Sequence, residues 1–122
     1  RNIVGIDSRT GVMAIGERLE EGQIVQFHLR DAKTSQEDLN GILRNYSDQH
    51  APMDSAGALL FSCLGRGKYL YGLADHDTNM FKDIIGDIPL GGFFCNGEIG
   101  PVGGTTYLHG YTSSFGIFRT RG

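Results

Sequence analysis

A glycine-rich stretch at residues 91–104 limits the folds open to this chain more than any other segment. It holds six of the 19 glycines, and an apolar run at 93–95 precedes most of them. The apolar run predicts a buried strand, whereas the glycines and Pro101 that follow are unfavourable in a helix or a central strand. We therefore expect a core strand that carries Asn96 and Glu98 into an irregular loop, where another backbone or a ligand comes close.

Length and charge indicate one globular domain. The 122 residues are enough to bury a hydrophobic core, and the net charge of −3 gives no basic surface for nucleic acid. No apolar run reaches the ~18 residues of a membrane-spanning helix. We predict a cytoplasmic protein with no nucleic-acid partner, no membrane insertion and no cofactor. Because the sequence begins at Arg1 instead of methionine, we expect residues 1–122 to be a single domain from the C-terminal part of a longer protein.

The first half of the chain is predicted to contain three strands and one helix. Apolar runs on either side of a turn cluster predict a hairpin over residues 2–16. Strict alternation of apolar and polar side chains predicts a half-buried strand over 23–30. Thr34 and Glu37 form a capping-box pattern, and apolar residues at helical spacing follow it. We therefore predict a helix from about residue 35 to residue 49, with Thr34 as its cap.

The second half adds four strands and a second helix. The apolar run at 57–64 predicts a central strand covered on both faces, and a helix is predicted from about 75–78 to residue 85. Runs at 105–110 and 114–119 are expected to pair as a hairpin. The order β-β-β-α-β-α-β-β-β does not alternate strand with helix. We predict an α+β fold with a largely antiparallel sheet of about five to seven strands and two helices.

Two charged residues are isolated among glycines and apolar residues. Arg66 lies between Gly65 and Gly67, in a stretch that lacks the spacing of a phosphate-binding loop. On such a turn an arginine can hold a carboxylate or a phosphate, or it can point into solvent. Glu98 is expected to be paired, with Arg66 as the candidate, to face a ligand amine, or to cap backbone amides.

Cysteine catalysis is an alternative that the residue types allow. Cys63 or Cys95 would be the nucleophile, His109 the base, and Glu98 or Asn96 the group that orients the base. The other interpretation is that both cysteines are buried free thiols.

The histidines and acidic residues do not predict a metal site. The four histidines have no paired ligand spacing. Asp75 and Asp77 are interpreted as cap residues of the second helix.

Three motifs resemble the C-terminal half of the FIST domain (F-box and intracellular signal transduction). They are Phe-Ser-Cys-Leu-Gly-Arg-Gly at 61–67, Gly-Phe-Phe-Cys-Asn-Gly-Glu-Ile-Gly-Pro at 92–101 and Leu-His-Gly-Tyr-Thr at 108–112. The resemblance covers nearly the whole chain. It implies an intracellular sensory domain that binds small ligands, amino acids among them, with no catalytic activity to carry over. It also implies an N-terminal FIST half as an intramolecular partner.

Three functional hypotheses follow from the residues and the resemblance. The first is a small-ligand sensing module, in which Arg66 takes a ligand carboxylate and Glu98 takes its amine. The second is a structural or protein-interaction half-domain that packs on the N-terminal half, and the third is a cysteine-dependent enzyme. The predicted ligand-binding residues are Gly65, Arg66, Gly67, Asn96, Gly97, Glu98 and His109.

Overall fold

The computed structural model describes residues 2–28, 30–50 and 55–120. These residues form an α+β fold with seven strands and three helices. In chain order the elements are β1 (Ile3–Asp7), β2 (Val12–Ile15), α1 (Ala32–Gln49), β3 (Ser55–Cys63), α2 (Lys68–Tyr71), α3 (His76–Ile85), β4 (Leu90–Cys95), β5 (Glu98–Val102), β6 (Thr105–His109) and β7 (Ser113–Arg119). The predicted fold class is confirmed, and the short helix α2 is an addition to the two helices predicted.

The strands are divided among three sheets. β3 lies at the centre of a three-stranded sheet, parallel to β4 and antiparallel to β7. β1 with β2, and β5 with β6, form separate antiparallel hairpins. Most strand pairings are therefore antiparallel, as predicted, but β4 reaches β3 through a crossover containing α2 and α3. A parallel pair requires a crossover of this kind.

The core lies between the three-stranded sheet and the two long helices. Leu39 and Leu43 of α1 pack with Phe81 and Ile85 of α3 against Ala58 of β3. Each helix contributes residues at i and i+4, which lie on one face of a helix. Burial of these side chains fixes α3 over the sheet, and that placement positions the polar residues at the start of α3.

α1 begins earlier than predicted. Asp31 is the N-cap, and its carboxylate accepts a hydrogen bond from the amide of Thr34 at 3.0 Å. The hydroxyl of Thr34 also donates to Asp31, at 2.7 Å. The prediction of Thr34 as the cap is wrong because Asp31 supplies the same kind of side-chain acceptor three residues earlier.

The second face of the sheet is largely uncovered by the described residues. Side chains of β3 alternate in burial along the strand, with Leu60 buried and Leu59 37% exposed. On the neighbouring strands Phe93 is 65% and Phe118 is 56% exposed. The predictions that residues 57–64 are covered on both faces and that 93–95 is a buried strand are therefore wrong. Both are strands, but the long helices pack on one face only.

The predicted strand at 23–30 is not formed in the part of it that the structure describes, residues 23–28 and 30. Ile24 is 98% exposed. Alternation describes the two faces of a strand, but a strand forms only where a neighbouring edge supplies hydrogen-bond partners.

The predicted pairing of 105–110 with 114–119 is also wrong. β6 pairs with β5, and β7 pairs with β3. Gly103 and Gly104 both have positive φ, 58° and 84°, which suits a two-residue hairpin turn and brings β5 and β6 together.

The loop expected after Asn96 is partly a strand, because residues 98–102 form β5. Within the described residues β5 has one strand partner, and Pro101 is tolerated on such an edge strand. Among the described helices, none is long and apolar enough to cross a membrane.

Candidate functional site

The candidate site lies at the edge of the sheet where β3 and β4 end. The two strands are parallel neighbours, and Cys63 and Cys95, their last residues, are register partners. The turn at 65–67 and the turn at 96–97 therefore leave the sheet from the same edge. The structure thus brings together the two motifs that the sequence singled out, as their adjacency to these strands suggested.

Arg66 is buried, and each of its three guanidinium nitrogens donates to α2, α3 or the turn before β7. Its side chain is 6% exposed. Nε and Nη2 donate to the carboxylate of Asp77 at 2.7 and 3.1 Å. Nη2 also donates to the hydroxyl of Tyr71 at 2.6 Å, and Nη1 to the carbonyl of Tyr111 at 3.0 Å. The ionic partner of Arg66 is Asp77 and not Glu98, and the guanidinium does not point into solvent.

Asp77 collects hydrogen bonds from several elements. Besides the hydrogen bonds from Arg66, Oδ2 of Asp77 accepts hydrogen bonds from the hydroxyls of Ser113 at 2.6 Å and Ser62 at 3.3 Å. Nδ1 of His76 lies 3.0 Å from Oδ1. Burial by itself would raise the pKa of Asp77. The hydrogen bonds, led by those from Arg66, outweigh burial and lower the pKa to about 2. Asp77 is therefore ionised at neutral pH and holds the arginine in place.

The glycines on either side of Arg66 have structural roles. A Cβ at Gly65 would overlap the ring of Tyr111, whose carbonyl accepts from Arg66. Gly67 has φ 60° and is the N-cap of α2, a backbone conformation that suits glycine. A Cβ there would also lie 3.1 Å from the ring of Phe94. The Gly-Arg-Gly motif therefore shapes the turn and seats the aromatic residues around the Arg66–Asp77 pair.

Glu98 is the group with unused hydrogen-bonding capacity. It is the first residue of β5 and is 9% exposed. Oε1 accepts a hydrogen bond from the thiol of Cys95 at 3.1 Å. Oε2 is buried and has no hydrogen-bond partner among residues 2–28, 30–50 and 55–120. Since buried carboxylate oxygens are normally paired, such an atom needs an explanation.

The remaining predicted ligand-binding residues surround Glu98 unevenly. His109 is its register partner across the β5–β6 hairpin, but Nε2 of His109 bonds to the carbonyl of Gly100 at 2.9 Å. Asn96 is exposed in the turn before β5, and the half-buried Gly97 follows it.

The surroundings of the two cysteines differ from those of the predicted catalytic arrangement. The hydrogen bond to Glu98 raises the pKa of the Cys95 thiol, whereas an activated cysteine requires a lowered pKa. Cys63 is buried. No hydrogen bond connects His109 to either cysteine within the described part of the chain. Nor do the described residues contain a group of three or more His, Cys, Asp or Glu side chains suited to a metal ion.

A cavity of about 220 Å³ lies between the start of α3 and β4. Its wall includes Asp77, Gly91 and Gly92, together with Gly67 from the Gly-Arg-Gly turn. Gly67 is the one predicted ligand-binding residue that lines it, so the cavity and the Glu98 group are separate features.

Asp77 is the residue that the interpretation of the sequence missed. Its carboxylate was assigned to a helix cap, but the observed cap Asp75 makes no side-chain cap hydrogen bond and Asp77 turns inward to Arg66. One signal was available. An arginine flanked by glycines at the end of a core strand needs a counter-charge, and Asp77 lies in the first turn of the helix that covers that strand.

Comparison with known proteins identifies the family. The model of the FIST C domain matches residues 1–101. The chain belongs to the FIST C family. This family is associated with sensing in signal transduction. The match includes the motifs at 61–67 and 92–101, while the motif at 108–112 lies beyond it.

Relatives of the FIST C chain are found in bacteria and plants. It is 44% identical over 118 residues to an uncharacterized protein of Mycobacterium tuberculosis, covering 97% of this chain and 30% of that protein. An uncharacterized protein of Mycobacterium bovis is 42% identical with the same coverage. An F-box/LRR-repeat protein of Arabidopsis thaliana is 31% identical over 88 residues, which are 70% of this chain and 17% of that protein. The chain spans about 30% of the length of the mycobacterial relatives.

Proposed function

We propose that this FIST C chain is the ligand-binding part of a sensing module in a signal-transduction protein, and that Glu98 binds the amine of a small ligand such as an amino acid. The observation that carries the proposal is the buried Oε2 atom of Glu98, which has no partner in the described chain. An ammonium group supplies both N–H donors and a positive charge, the two things that a buried carboxylate requires.

The Cys95 contact supports a carboxylate that is held ready for a ligand. The thiol occupies Oε1 and leaves Oε2 for a second donor. A thiol is a weak donor, so this contact does little to satisfy the hydrogen-bonding capacity of the Glu98 carboxyl group.

Arg66 has a different role from the one that the sequence suggested. A ligand carboxylate would have to displace Asp77 or share the guanidinium with it. Removing one partner of a buried pair leaves the other uncompensated at a cost of about 3 to 5 kcal/mol. The ligand is therefore defined by its amine, and Arg66 positions the turn beside the site.

The test is thermal denaturation of the full-length protein with a panel of amino acids and simple amines. A ligand at 100 times its dissociation constant stabilises a protein by ~2.7 kcal/mol. We expect Glu98→Gln to abolish the shift, because the amide keeps the shape and an acceptor for Cys95 but loses the charge. The control Glu37→Gln changes an exposed glutamate on α1 and should keep the shift. Absence of any shift, or an undiminished shift in Glu98→Gln, would refute the proposal.

A second candidate is a half-domain that packs on another part of the full-length protein, and the uncovered face of the sheet favours it. Phe93 and Phe118 are exposed there, and Ile6 and Ile99 are exposed on the two isolated hairpins. Two-stranded hairpins without a core are marginally stable in water. This candidate predicts that amides of β5 and β6 exchange slowly in the full-length protein and rapidly in residues 1–122 alone. Equal exchange in both would exclude it.

We further propose that the chain is not a cysteine-dependent enzyme. The raised pKa of Cys95 supports this, since the thiolate is the nucleophile in such enzymes.

A further inference from the structure

The two cysteines occupy positions that a disulfide can join. Cys63 and Cys95 are register partners on adjacent parallel strands, so their side chains point to the same face of the sheet. Neighbouring strands lie about 4.8 Å apart, and the Cα atoms of disulfide-bonded cysteines are about 4.4–6.8 Å apart. Both cysteines are free thiols in this structure.

The Cys95 side chain leans toward β3. Its Sγ lies 3.5 Å from the carbonyl oxygen of Ser62, the residue directly before Cys63. Cys95 is partly exposed whereas Cys63 is buried. An oxidant from solvent therefore reaches Cys95 first, and Cys63 is the thiol placed to resolve the product.

We propose that Cys63 and Cys95 are a reversible redox pair that closes a disulfide between the ends of β3 and β4, with Glu98 restraining the reaction. The bond would link β3, which precedes the Gly-Arg-Gly turn, to β4, which precedes the turn at 96–97. Oxidation would thus fix the spacing of the two turns. The disulfide itself does not depend on the ligand proposed above.

The reaction requires an oxidant, for which a low-molecular-weight disulfide suffices. Cys95 loses its proton, and the thiolate attacks one sulfur of the oxidant, forming a mixed disulfide and releasing one thiol. The Cys63 thiolate then attacks the Cys95 sulfur, forming the Cys63–Cys95 bond and releasing the second thiol. Two protein thiols are oxidised and one disulfide is reduced to two thiols, which is ordinary thiol–disulfide exchange.

Glu98 slows the first step for two reasons. Its carboxyl oxygen accepts a hydrogen bond from the Cys95 thiol, which stabilises the protonated form of Cys95. Its charge also disfavours a negative thiolate close by. This contact raises the pKa of Cys95. Neutralising Glu98 should speed the attack. Each unit by which the thiol pKa falls toward neutrality raises the exchange rate by about threefold, since the gain in thiolate is partly offset by lower nucleophilicity.

The test treats the reduced full-length protein with oxidised glutathione under native conditions. The reaction is stopped in acid, free thiols are alkylated, and peptides are mapped by mass spectrometry. We expect a cross-linked peptide that contains Cys63 and Cys95 and disappears on reduction with dithiothreitol. Cys63→Ser should instead accumulate glutathione on Cys95, and Cys95→Ser should leave Cys63 unmodified. A stable glutathione adduct on Cys95 of the wild type, or two cysteines that stay alkylatable, would overturn the proposal.

The restraint by Glu98 has its own test. Glu98→Gln should oxidise faster than the wild type, because the contact that raises the pKa of Cys95 loses its charge. The matched variant Glu37→Gln should oxidise at the wild-type rate. If Glu98→Gln does not fold, the pH dependence of Cys95 alkylation in the wild type replaces it. Half-maximal alkylation should then fall at a higher pH than that of free glutathione. An unchanged rate, or a profile equal to that of glutathione, would refute the restraint.

Discussion

Replacement of Asp77 by asparagine tests whether the Arg66–Asp77 pair fixes the turn after β3. Both side chains are buried, and two guanidinium nitrogens donate to the carboxylate at 2.7 and 3.1 Å. Asparagine keeps the size of the side chain but removes its charge and leaves a buried arginine without a counter-ion. We expect a loss of about 3 kcal/mol or more in the free energy of unfolding at pH 7.

The same pair predicts how stability depends on pH. The folded-state pKa of Asp77 lies at about 2, below the usual value of 3.8. The carboxylate therefore contributes stability that is fully present above pH 4 and is lost as the pH falls toward 2. A shift of nearly two pKa units corresponds to about 2 kcal/mol. The variant has no such group, so the stability difference between it and the wild type should shrink across this window.

The assay is urea denaturation of both proteins from pH 7 down to pH 2. Asp83→Asn is the matched control, because Asp83 lies on the same helix, α3, and is exposed. It should cost less than about 0.5 kcal/mol. A difference below about 1 kcal/mol for Asp77→Asn at pH 7, too small for a broken buried pair, would refute the role given to the pair. A difference that stays constant down to pH 2 would refute the assignment of the lowered pKa.

Two further substitutions test local features of the fold. Gly65→Ala should destabilise the protein by about 1–3 kcal/mol, because the added methyl group overlaps the Tyr111 ring. Gly41→Ala, on α1 with nothing within 4 Å, should instead be neutral or stabilising by up to about 1 kcal/mol. Thermal denaturation of the pair measures both, and equal effects would contradict the packing of Tyr111. Asp31→Ala should cost about 1 kcal/mol through loss of the α1 cap, while Asp38→Ala, exposed within α1, should cost less. The opposite ranking in urea denaturation would contradict the assignment of the cap.

Sequence patterns predicted the helices and strands better than they predicted which strands pair with each other. The two long helices, α1 and α3, and the strand β3 were found because helical spacing and apolar runs are local properties. The pairing of β5 with β6 was missed because residues 98–102 were not predicted to be a strand. The run at 105–110 was therefore paired with the next predicted run, across residues 111–113. The strand expected at 23–30 failed for a related reason, since alternation does not reveal whether an edge is available.

The candidate site shows the same division between local and long-range information. Arg66 and Glu98 stood out because each is a charge among glycines and apolar residues. Their partners could not be predicted, because Asp77 reaches Arg66 only after a crossover folds α3 over the sheet. Burial of Glu98 likewise depends on the direction in which the chain leaves the three-stranded sheet after Cys95 and enters β5.

The two family motifs therefore have different chemical capacities. In the first, the charge of Arg66 is balanced by Asp77, and the glycines on either side admit Tyr111 and Phe94, so the Gly-Arg-Gly part of the motif is explained by folding alone. In the second, Glu98 keeps a buried oxygen without a described partner. An anionic ligand would have to compete with an intramolecular carboxylate at Arg66, whereas the one described group that a cationic ligand meets at Glu98 is the Cys95 thiol. This asymmetry is why the search for a ligand should begin with amines.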